Sequence, residues 1–505
     1  MARNENRDRL TEATQVGMKK QMISGMIWTI ADIFGNQVAK LIVQIILARL
    51  LLPKDFGVIS IISVFIALSQ SLMDSGFQNA LIREEKTCEE DLATVFYFNF
   101  FMSIVLYGAL FFAAPSLSLF FHEPKLELIL RVVGIILIIN SFGLIQRTIL
   151  SKQLKFKTQM IINMLSSIIS GLIAIFCAFR GFGIWSLVIQ TIVMQFLQAS
   201  LFTMKNRWWP KTGFYWKSFK RLYKFGWKIM ISGLLNTAYQ NIYFVLIGRL
   251  YSASDLGYYT NAQKLRDAAD FTITGAVRKV SYPALSKVKD QQEVLKRGYR
   301  KILRYTVFFT LPISLGLAVI APQLFPVLFG TKWDYSIPYF QILCLAGIFF
   351  PLHAINLNIL QVKGRSDLVL KLELINKGFA VALIVLSLIF HGGMMGLVWM
   401  SVLSSFVSYL INSYYSGFFL SYSTKNQIKD SGGSFISAIL MAVMLLIFSN
   451  FIKVSGLGGV LLLSCSGFFS YLFCHILFQT AESKEIMNYV KQFVKHEVKV
   501  NEDSV

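Results

Sequence analysis

The stretch that decides the fold is residues 378–424, which read GFAVALIVLSLIFHGGMMGLVWMSVLSSFVSYLINSYYSGFFLSYST. It contains no Asp, Glu, Lys or Arg. A bilayer core about 30 Å thick takes about 20 apolar residues per helix, so this stretch predicts two membrane spans. Further charge-free runs predict one span each, at 92–121, 181–204, 305–331, 335–362 and 454–481. The sequence therefore predicts an all-α polytopic membrane protein.

The composition excludes a water-soluble protein of this size. Of the 505 residues, 55% are hydrophobic and 15% are charged, whereas soluble domains are about 25% charged. The 49 Lys and Arg outnumber the 27 Asp and Glu, which gives a net charge of +22. Most of this surplus falls in alternate loops, as the positive-inside rule requires. The charge therefore reports membrane topology, and we do not expect nucleic acid as a partner.

Hydropathy and charge together predict about fourteen spans. Eleven are uninterrupted by charge and lie in 56–73, 92–121, 158–179, 181–204, 229–248, 305–331, 335–362, 378–424 (two spans), 431–452 and 454–481. Three more are apolar but contain charges, at 22–48, 126–149 and 256–280. If 256–280 did not cross, the basic loops after it would change sides. We therefore expect it to cross and both termini to lie in the cytoplasm.

An internal repeat divides the spans into two sets of six. Six residues recur at an offset of 200: Asn36, Ile42, Arg49, Leu50, Asp55 and Gly57 match Asn236, Ile242, Arg249, Leu250, Asp255 and Gly257. An even number of spans per repeat relates the halves by an axis along the membrane normal. For Arg49, Asp55 and Gly57 themselves a simpler interpretation is a recurring turn, with Arg reaching the headgroups and Asp–x–Gly turning the chain.

The domain boundaries follow from this division. We predict a cytoplasmic tail at 1–21, a six-span N-lobe at 22–204, a basic and aromatic cytoplasmic segment at 205–228, a six-span C-lobe at 229–424, two extra spans at 425–480 and a cytoplasmic tail at 481–505.

Polar side chains form a stripe along the first span. Asp32, Asn36, Lys40 and Gln44 are spaced four residues apart, which places them on one slowly drifting face of a helix. Asn236 and Gln240 repeat the spacing in the second half. Ionisable groups at membrane depth are costly and mark functional sites by default. This stripe requires water, a partner helix or a ligand.

The eighth span carries a second stripe of charge. Arg266, Asp270, Thr274 and Arg278 recur every four residues, with Lys264 and Asp267 beside them. Arg266 and Asp270 are spaced for an i,i+4 ion pair, but basic groups are in excess. Two interpretations stay open: a salt-bridged interface between the lobes, or a hydrated cationic cavity for an anionic head group.

Two further features are weaker or different in kind. His353 and Asn356, three residues apart in the tenth span, are weak candidates for the same cavity, because a single His is more often a packing residue. The segment 205–228 contains eight basic residues, no acidic residue and several aromatic ones. This mixture is typical of an amphipathic helix on anionic lipid. We expect it to anchor the chain, and lipid-substrate capture is the more specific alternative.

Several classes of activity find no support. The five cysteines are scattered without metal-ligand or redox spacing. There is no GxxxxGK[ST] phosphate loop, and no long outward loop could form a catalytic domain. The N-terminal 21 residues lack the apolar core of a cleaved signal peptide. We expect a protein that is not an enzyme and uses no cofactor or metal.

Three short motifs resemble one family. They are RLLLPKDFG at 49–57, SGFQNALIREE at 75–85 and YPALSK at 282–287. With the polar first span and the basic, aromatic loop, they are similar to the polysaccharide transporter family of Wzx-type flippases. That family belongs to the multidrug/oligosaccharidyl-lipid/polysaccharide exporter superfamily. The resemblance implies two six-helix lobes that open alternately, and two extra C-terminal helices. The implied cargo is an oligosaccharide on undecaprenyl pyrophosphate, moved to the outer leaflet of the bacterial inner membrane for O-antigen, capsule or exopolysaccharide synthesis.

The candidate residues suit such a cargo. Substrate contacts are predicted for Asn36, Lys40, Asn236, Gln240, Lys264, Arg266, Arg278 and His353, and ion coupling for Asp32 and Asp270. Expected partners are the lipid-linked cargo, membrane lipids and other polysaccharide assembly proteins. The alternatives are a drug or cation antiporter of the same superfamily, which predicts a cavity rich in carboxylates, and a membrane glycan polymerase or ligase, which predicts a large outward loop.

Overall fold

A computed structural model describes most of the chain. It covers residues 28, 32, 34–74, 76–84, 87–451, 456–480 and 482–484, with side chains for all of these except 74, 271–274 and 276–280. Within these ranges the regular structure is helical and contains no strand. The parts of the predicted tails and of the first span that fall at 1–27, 29–31, 33 and 485–505 lie outside the described residues.

The chain forms two compact units, Met1–Thr260 and Asn261–Val505. The helices of the first unit are α1 (34–50), α2 (Pro53–Asp74), α3 (Phe77–Arg83), α4 (Glu89–Phe121), α5 (Lys125–Gly134), α6 (Ile136–Lys152), α7 (Phe156–Phe179), α8 (Trp185–Asn206), α9 (Trp216–Gln240) and α10 (Ile242–Leu250). Helix α11 (Ala253–Ser286) begins in this unit and ends in the next. The predicted lobe boundary at 205–228 follows the sequence repeat and stays a prediction.

The second unit contains the remaining helices. They are α12 (Gln292–Leu328), α13 (Ser336–Gly347), α14 (Phe350–Val362), α15 (Ser366–Ile389), α16 (Gly393–Leu420), α17 (Thr424–Phe451) and α18 (Gly456–Leu477), with a short 3₁₀ turn at Thr331–Trp333. Its core joins the last two helices to α12, as Leu311, Met441, Leu463 and Tyr471 are buried together. The Tyr471 hydroxyl also donates to the carbonyl oxygen of Phe308 at 2.8 Å.

Eleven helical segments of the described chain are long and apolar enough to cross a membrane, which confirms a polytopic all-α protein. They include 125–152, where α5 and α6 follow each other directly, although charges interrupt that segment. Three predicted spans are not among them. The segment 22–48 begins outside the described residues, and 256–280 is helical but polar. The segment 229–248, predicted to be a clean span, is broken at Asn241 between α9 and α10. The count of about fourteen stays a prediction.

The repeated turn has the same geometry in both copies. The Leu52 N–H donates to Asp55 Oδ2 at 3.1 Å, and the Ser252 N–H donates to Asp255 Oδ2 at 3.1 Å. A carboxylate at the third helical position thus satisfies a free N–H at the start of α2 and of α11. Asp55 and Asp255 therefore act as the turn interpretation predicts.

The glycines of this motif have a different role from the one predicted. Gly57 and Gly257 lie inside α2 and α11, one turn past the chain reversal. A Cβ on Gly57 would lie 1.7 Å from the Ala253 carbonyl oxygen, and a Cβ on Gly257 would lie 1.9 Å from that of Pro53. The two backbones cross in direct contact. The contact occurs twice, because each glycine meets the residue that begins the other helix, Pro53 or Ala253. Only residues without a side chain permit this approach.

Candidate functional site

The polar stripe of the first span is hydrogen-bonded to α7 and, through α7, to α8. The amide of Asn36 donates to Asp32 Oδ1 at 2.5 Å, and the amide of Asn163 on α7 donates to Asp32 Oδ2 at 3.2 Å. Gln198 on α8 donates to Asn163 Oδ1 at 3.4 Å. These four side chains form one hydrogen-bonded chain across α1, α7 and α8, which we call the amide–carboxylate chain.

Close packing of α1 on α7 positions this chain. A Cβ on Gly171 would lie 2.4 Å from a methyl carbon of Val43, and a Cβ on Gly35 would lie 3.5 Å from the sulfur of Met164. Glycines at these two points let the helices approach along their length. Lys40, two turns after Asp32 on the same face, is exposed. The predicted stripe is thus partly engaged by neighbouring helices and partly open.

Sequence reasoning missed Asn163 and Gln198. Both lie in segments predicted as clean spans, where an isolated amide does not change the hydropathy. The spacing of Thr191, Gln195 and Gln198 on α8 was the available signal, because residues at i, i+4 and i+7 share a helix face. Thr191 and Gln195 line a separate cavity of about 320 Å³ in the first unit, together with Ser63 and Gln70 of α2.

The repeat counterparts of the stripe lie near the break between α9 and α10. Asn236 is half-buried, whereas Gln240 is exposed and is the last residue of α9. The backbone N–H and the side-chain amide of Asn241 both donate to the carbonyl oxygen of Thr237, at 3.2 and 2.8 Å, where α9 ends. Interrupted helices at membrane depth are common at transport sites.

The charged stripe of α11 is paired in the second unit. Arg266 lies 2.8 Å from Asp270 and 3.2 Å from Asp267, which confirms the predicted i,i+4 pair. Asp270 packs against Gly347 of α13, where a Cβ would lie 3.0 Å from Oδ2. Two carboxylates thus hold the Arg266 guanidinium, and an anionic ligand would compete with them. Lys264 is exposed; the side chain of Arg278 lies outside the described residues.

His353 belongs to a polar network inside the second unit. Asn412 of α16 lies 3.4 Å from its Nδ1, and Asn376 of α15 donates to Asn412 Oδ1 at 3.0 Å. Its predicted neighbour Asn356 is fully buried and accepts a hydrogen bond from the Tyr299 hydroxyl at 2.7 Å. These bonds join helices to one another, which is the packing role that was the simpler interpretation.

The basic and aromatic segment is an exposed loop followed by the first half of α9. The Trp208 indole donates to Glu89 Oε2 at 3.0 Å, and Arg221 Nη2 lies 2.6 Å from Asp91 Oδ1 at the start of α4. Trp216 and Phe219 stack at 5.1 Å.

In the described part of the chain, no three His, Cys, Asp or Glu side chains group closely enough to hold a metal ion.

Comparison with known proteins identifies the family. A family model described as polysaccharide biosynthesis protein matches residues 46–338, more than half of the chain. The chain belongs to the polysaccharide biosynthesis protein family. All three motifs of the predicted resemblance, at 49–57, 75–85 and 282–287, lie within the match, and the assignment to the polysaccharide transporters is confirmed.

Individual relatives cover most of the chain. It is similar to the teichuronic acid biosynthesis protein TuaB of Bacillus subtilis (strain 168), with 26% identity over 69% of this chain and 73% of that protein. It is also similar to the lipopolysaccharide biosynthesis protein WzxC of Escherichia coli (strain K12), with 22% identity over 78% of this chain and 82% of that protein.

A solved structure shares the fold. The inward closed conformation of the lipid II flippase MurJ matches with a TM-score of 0.71 and 16% identity, over 90% of this chain and 98% of that chain. Because the identity is 16%, this similarity establishes the fold of the chain and not its function.

Proposed function

We propose that this protein is a flippase for an oligosaccharide linked to undecaprenyl pyrophosphate. It moves the cargo from the cytoplasmic to the outer leaflet of the bacterial inner membrane by alternating access. The cargo then enters a surface polysaccharide, which is an O-antigen, a capsule or an exopolysaccharide. The protein makes and breaks no covalent bond in the cargo, and both of its termini lie in the cytoplasm.

The observation that carries the proposal is the amide–carboxylate chain within the apolar helices of the first unit. Its members place hydrogen-bond donors and acceptors among apolar helices: Asp32, Asn36, Asn163 and Gln198. A polar group at membrane depth costs free energy, which marks it as a functional candidate. Amide groups donate and accept at once, as the hydroxyls of a sugar require. The exposed ammonium of Lys40 supplies positive charge on the same face for a pyrophosphate. This combination suits a polar, anionic cargo.

The relatives support the class of cargo. TuaB is named for teichuronic acid biosynthesis and WzxC for lipopolysaccharide biosynthesis, and MurJ is named a lipid II flippase. A cargo with an apolar tail and a polar head needs a wet path for the head alone. An interior that is electrically negative helps to expel an anion by about 2.3 kcal/mol per charge per 100 mV.

Asp32 and Asp270 remain our candidates for ion coupling. Asp32 accepts two amide hydrogen bonds, and Asp270 is held by Arg266. A carboxylate that exchanges a proton or Na⁺ changes the charge balance of its neighbours. In the first unit Lys40 is our candidate for contact with the anionic head. In the second unit Lys264 and Arg278 are separate candidates, and Arg266 contributes through its ion pairs.

A strain that lacks the gene tests the function. We expect a complete oligosaccharide on its polyprenyl carrier to accumulate in the cytoplasmic leaflet, measured by mass spectrometry with sidedness probed in oriented vesicles. Accumulation in the outer leaflet would instead indicate a polymerase or ligase. Unchanged lipid-linked glycans would exclude the flippase and favour drug export.

Complementation of that strain tests the cationic path. We expect Lys40→Ala to reduce polymer output at least about tenfold, since a charge-assisted hydrogen bond contributes about 1.5–3 kcal/mol. Lys40→Arg keeps the positive charge and should retain most of the output. Both variants should be present in the membrane at the wild-type level. Full output from Lys40→Ala would exclude this lysine from the path.

A further inference from the structure

We propose that a basic pocket between α3 and α9 binds the phosphate group of a lipid headgroup. This α3–α9 pocket has a volume of about 710 Å³. Its lining includes Arg83 and Glu84 from the end of α3 and Arg221, Lys224 and Phe225 from α9. It lies apart from the amide–carboxylate chain and shares no residue with it.

A direct backbone contact holds the two walls of the pocket in place. A Cβ on Gly76 would lie 2.6 Å from the Gly226 carbonyl oxygen, and a Cβ on Gly226 would lie 2.9 Å from the Gly76 carbonyl carbon. The amine of Lys152 secures the far end of α3, because it donates to the carbonyl oxygens of Glu84 and, at 3.4 Å, of Leu81. The pocket is therefore built by fixed helices.

The charge of the lining suits one anionic group. Arg83, Arg221 and Lys224 provide three positive charges, and Glu84 provides one negative charge. Arg221 is held by the buried carboxylate of Asp91 at 2.6 Å and lies 3.9 Å from Glu84. With both carboxylates counted, the group keeps one net positive charge. A phosphate accepts hydrogen bonds from guanidinium and ammonium groups together.

Arg83 is positioned for such contacts by an aromatic ring. Its guanidinium carbon lies 4.4 Å from the centroid of the Phe225 ring, within the range of a cation–π interaction. Stacking of this kind holds the plane of the guanidinium while its N–H groups stay available to a ligand. Arg83 and Lys224 are both exposed.

The surroundings of the pocket favour a lipid over a soluble anion. Trp216, Tyr223 and Trp227 are exposed on the same helix that supplies Lys224, at 59%, 40% and 39%. Trp and Tyr are enriched where a protein meets lipid headgroups, and basic pockets at that level bind anionic headgroups. The same α9 continues beyond Gly226 into a segment that was predicted to cross the membrane.

Two lipids present this chemistry: an anionic phospholipid of the inner leaflet, and a polyprenyl diphosphate such as the carrier of the proposed cargo. The binding measurement needs no transport, so it stands or fails independently of the proposed function. We would purify the full chain in a zwitterionic detergent and measure bound lipid by native mass spectrometry. The added lipids are phosphatidylglycerol, undecaprenyl diphosphate and phosphatidylcholine.

We expect the wild type to retain phosphatidylglycerol or undecaprenyl diphosphate over phosphatidylcholine, and the preferred lipid identifies the occupant. The double variant Arg83→Gln/Lys224→Gln should bind it at least about tenfold more weakly. Arg83→Lys/Lys224→Arg keeps both charges and should bind at more than half the wild-type level, which separates charge from folding. The control Lys217→Gln removes an exposed charge of the same basic segment outside the pocket and should weaken binding less than about twofold, because a single exposed charge contributes little.

Three results would overturn the proposal. These are equal retention of phosphatidylcholine, unchanged affinity in the double Gln variant, and an equal loss in Lys217→Gln. The last result would mean that the whole basic face of α9 attracts anions without a defined site.

Discussion

At the scale of single residues, glycine decides how closely helices approach. Gly57 and Gly257 let α2 and α11 cross with backbone against backbone, and Gly171 lets α1 pack on α7. The repeat in the sequence pointed to Gly57 and Gly257 as a pair. It did not indicate that each glycine contacts the other copy of the motif, because a match between two sequence segments does not say how close they lie in space.

Gly57→Ala should destabilise the protein by about 1–3 kcal/mol, because an added methyl group at 1.7 Å from a carbonyl oxygen forces the backbones apart. The measurement is thermal unfolding of the purified protein, followed by tryptophan fluorescence. Gly108→Ala is the matched control, since a Cβ there meets no atom within 4 Å and alanine is the better helix former. Equal melting temperatures for the two variants would contradict the reciprocal contact.

At the scale of elements, ion pairs within α11 account for part of its charged stripe. The sequence predicted an i,i+4 pair and an excess of basic groups. The geometry places both Asp267 and Asp270 on Arg266, so this arginine is paired with two carboxylates of its own helix. These pairs lie within α11 itself. Both interpretations of the stripe, a salt-bridged interface between the lobes and a hydrated cationic cavity, stay predictions.

Arg266→Ala should lower stability and membrane expression, because it leaves the buried Asp270 without its cation. Breaking a buried pair costs about 3–5 kcal/mol. The double variant Arg266→Ala/Asp270→Asn removes both charges and should recover much of the expression, measured by size-exclusion chromatography with fluorescence detection. If Arg266→Ala expresses and elutes like the wild type but abolishes polymer output, the arginine contacts cargo instead.

The break at Asn241 shows the limit of hydropathy at this scale. Residues 229–248 contain enough apolar side chains for one span, yet α9 ends at Gln240 and α10 begins at Ile242. Hydropathy sums the side chains and takes no account of the backbone hydrogen bonds. The break falls at a single residue, Asn241, and a sum over side chains does not register it.

At the scale of the whole molecule, the distribution of Lys and Arg predicts which loops face the cytoplasm. Cys88 lies in a predicted inward loop and is exposed. Lys125 lies in a predicted outward loop and is also exposed. These two positions probe the topology without disturbing a buried contact.

A membrane-impermeant maleimide should label Cys88 only after spheroplasts are permeabilised. In a variant with Cys88→Ser and Lys125→Cys, the new cysteine should be labelled in intact spheroplasts. The labelled peptides are identified by mass spectrometry. The opposite pattern at both sites would reverse the predicted orientation, and labelling of both from one side would contradict the predicted crossing between them.

The sequence by itself determined the class of the protein, its helices, its family and the residues Asp32, Asn36 and Arg266 as unusual. These follow from hydropathy, charge and short motifs, which are properties of single residues or of neighbours along one helix. Only the tertiary structure decided that Asn163 and Gln198 join Asp32 and that α3 and α9 enclose a basic pocket. Contacts between helices depend on how each helix is rotated and how closely it packs, and the packing of all the side chains together sets both.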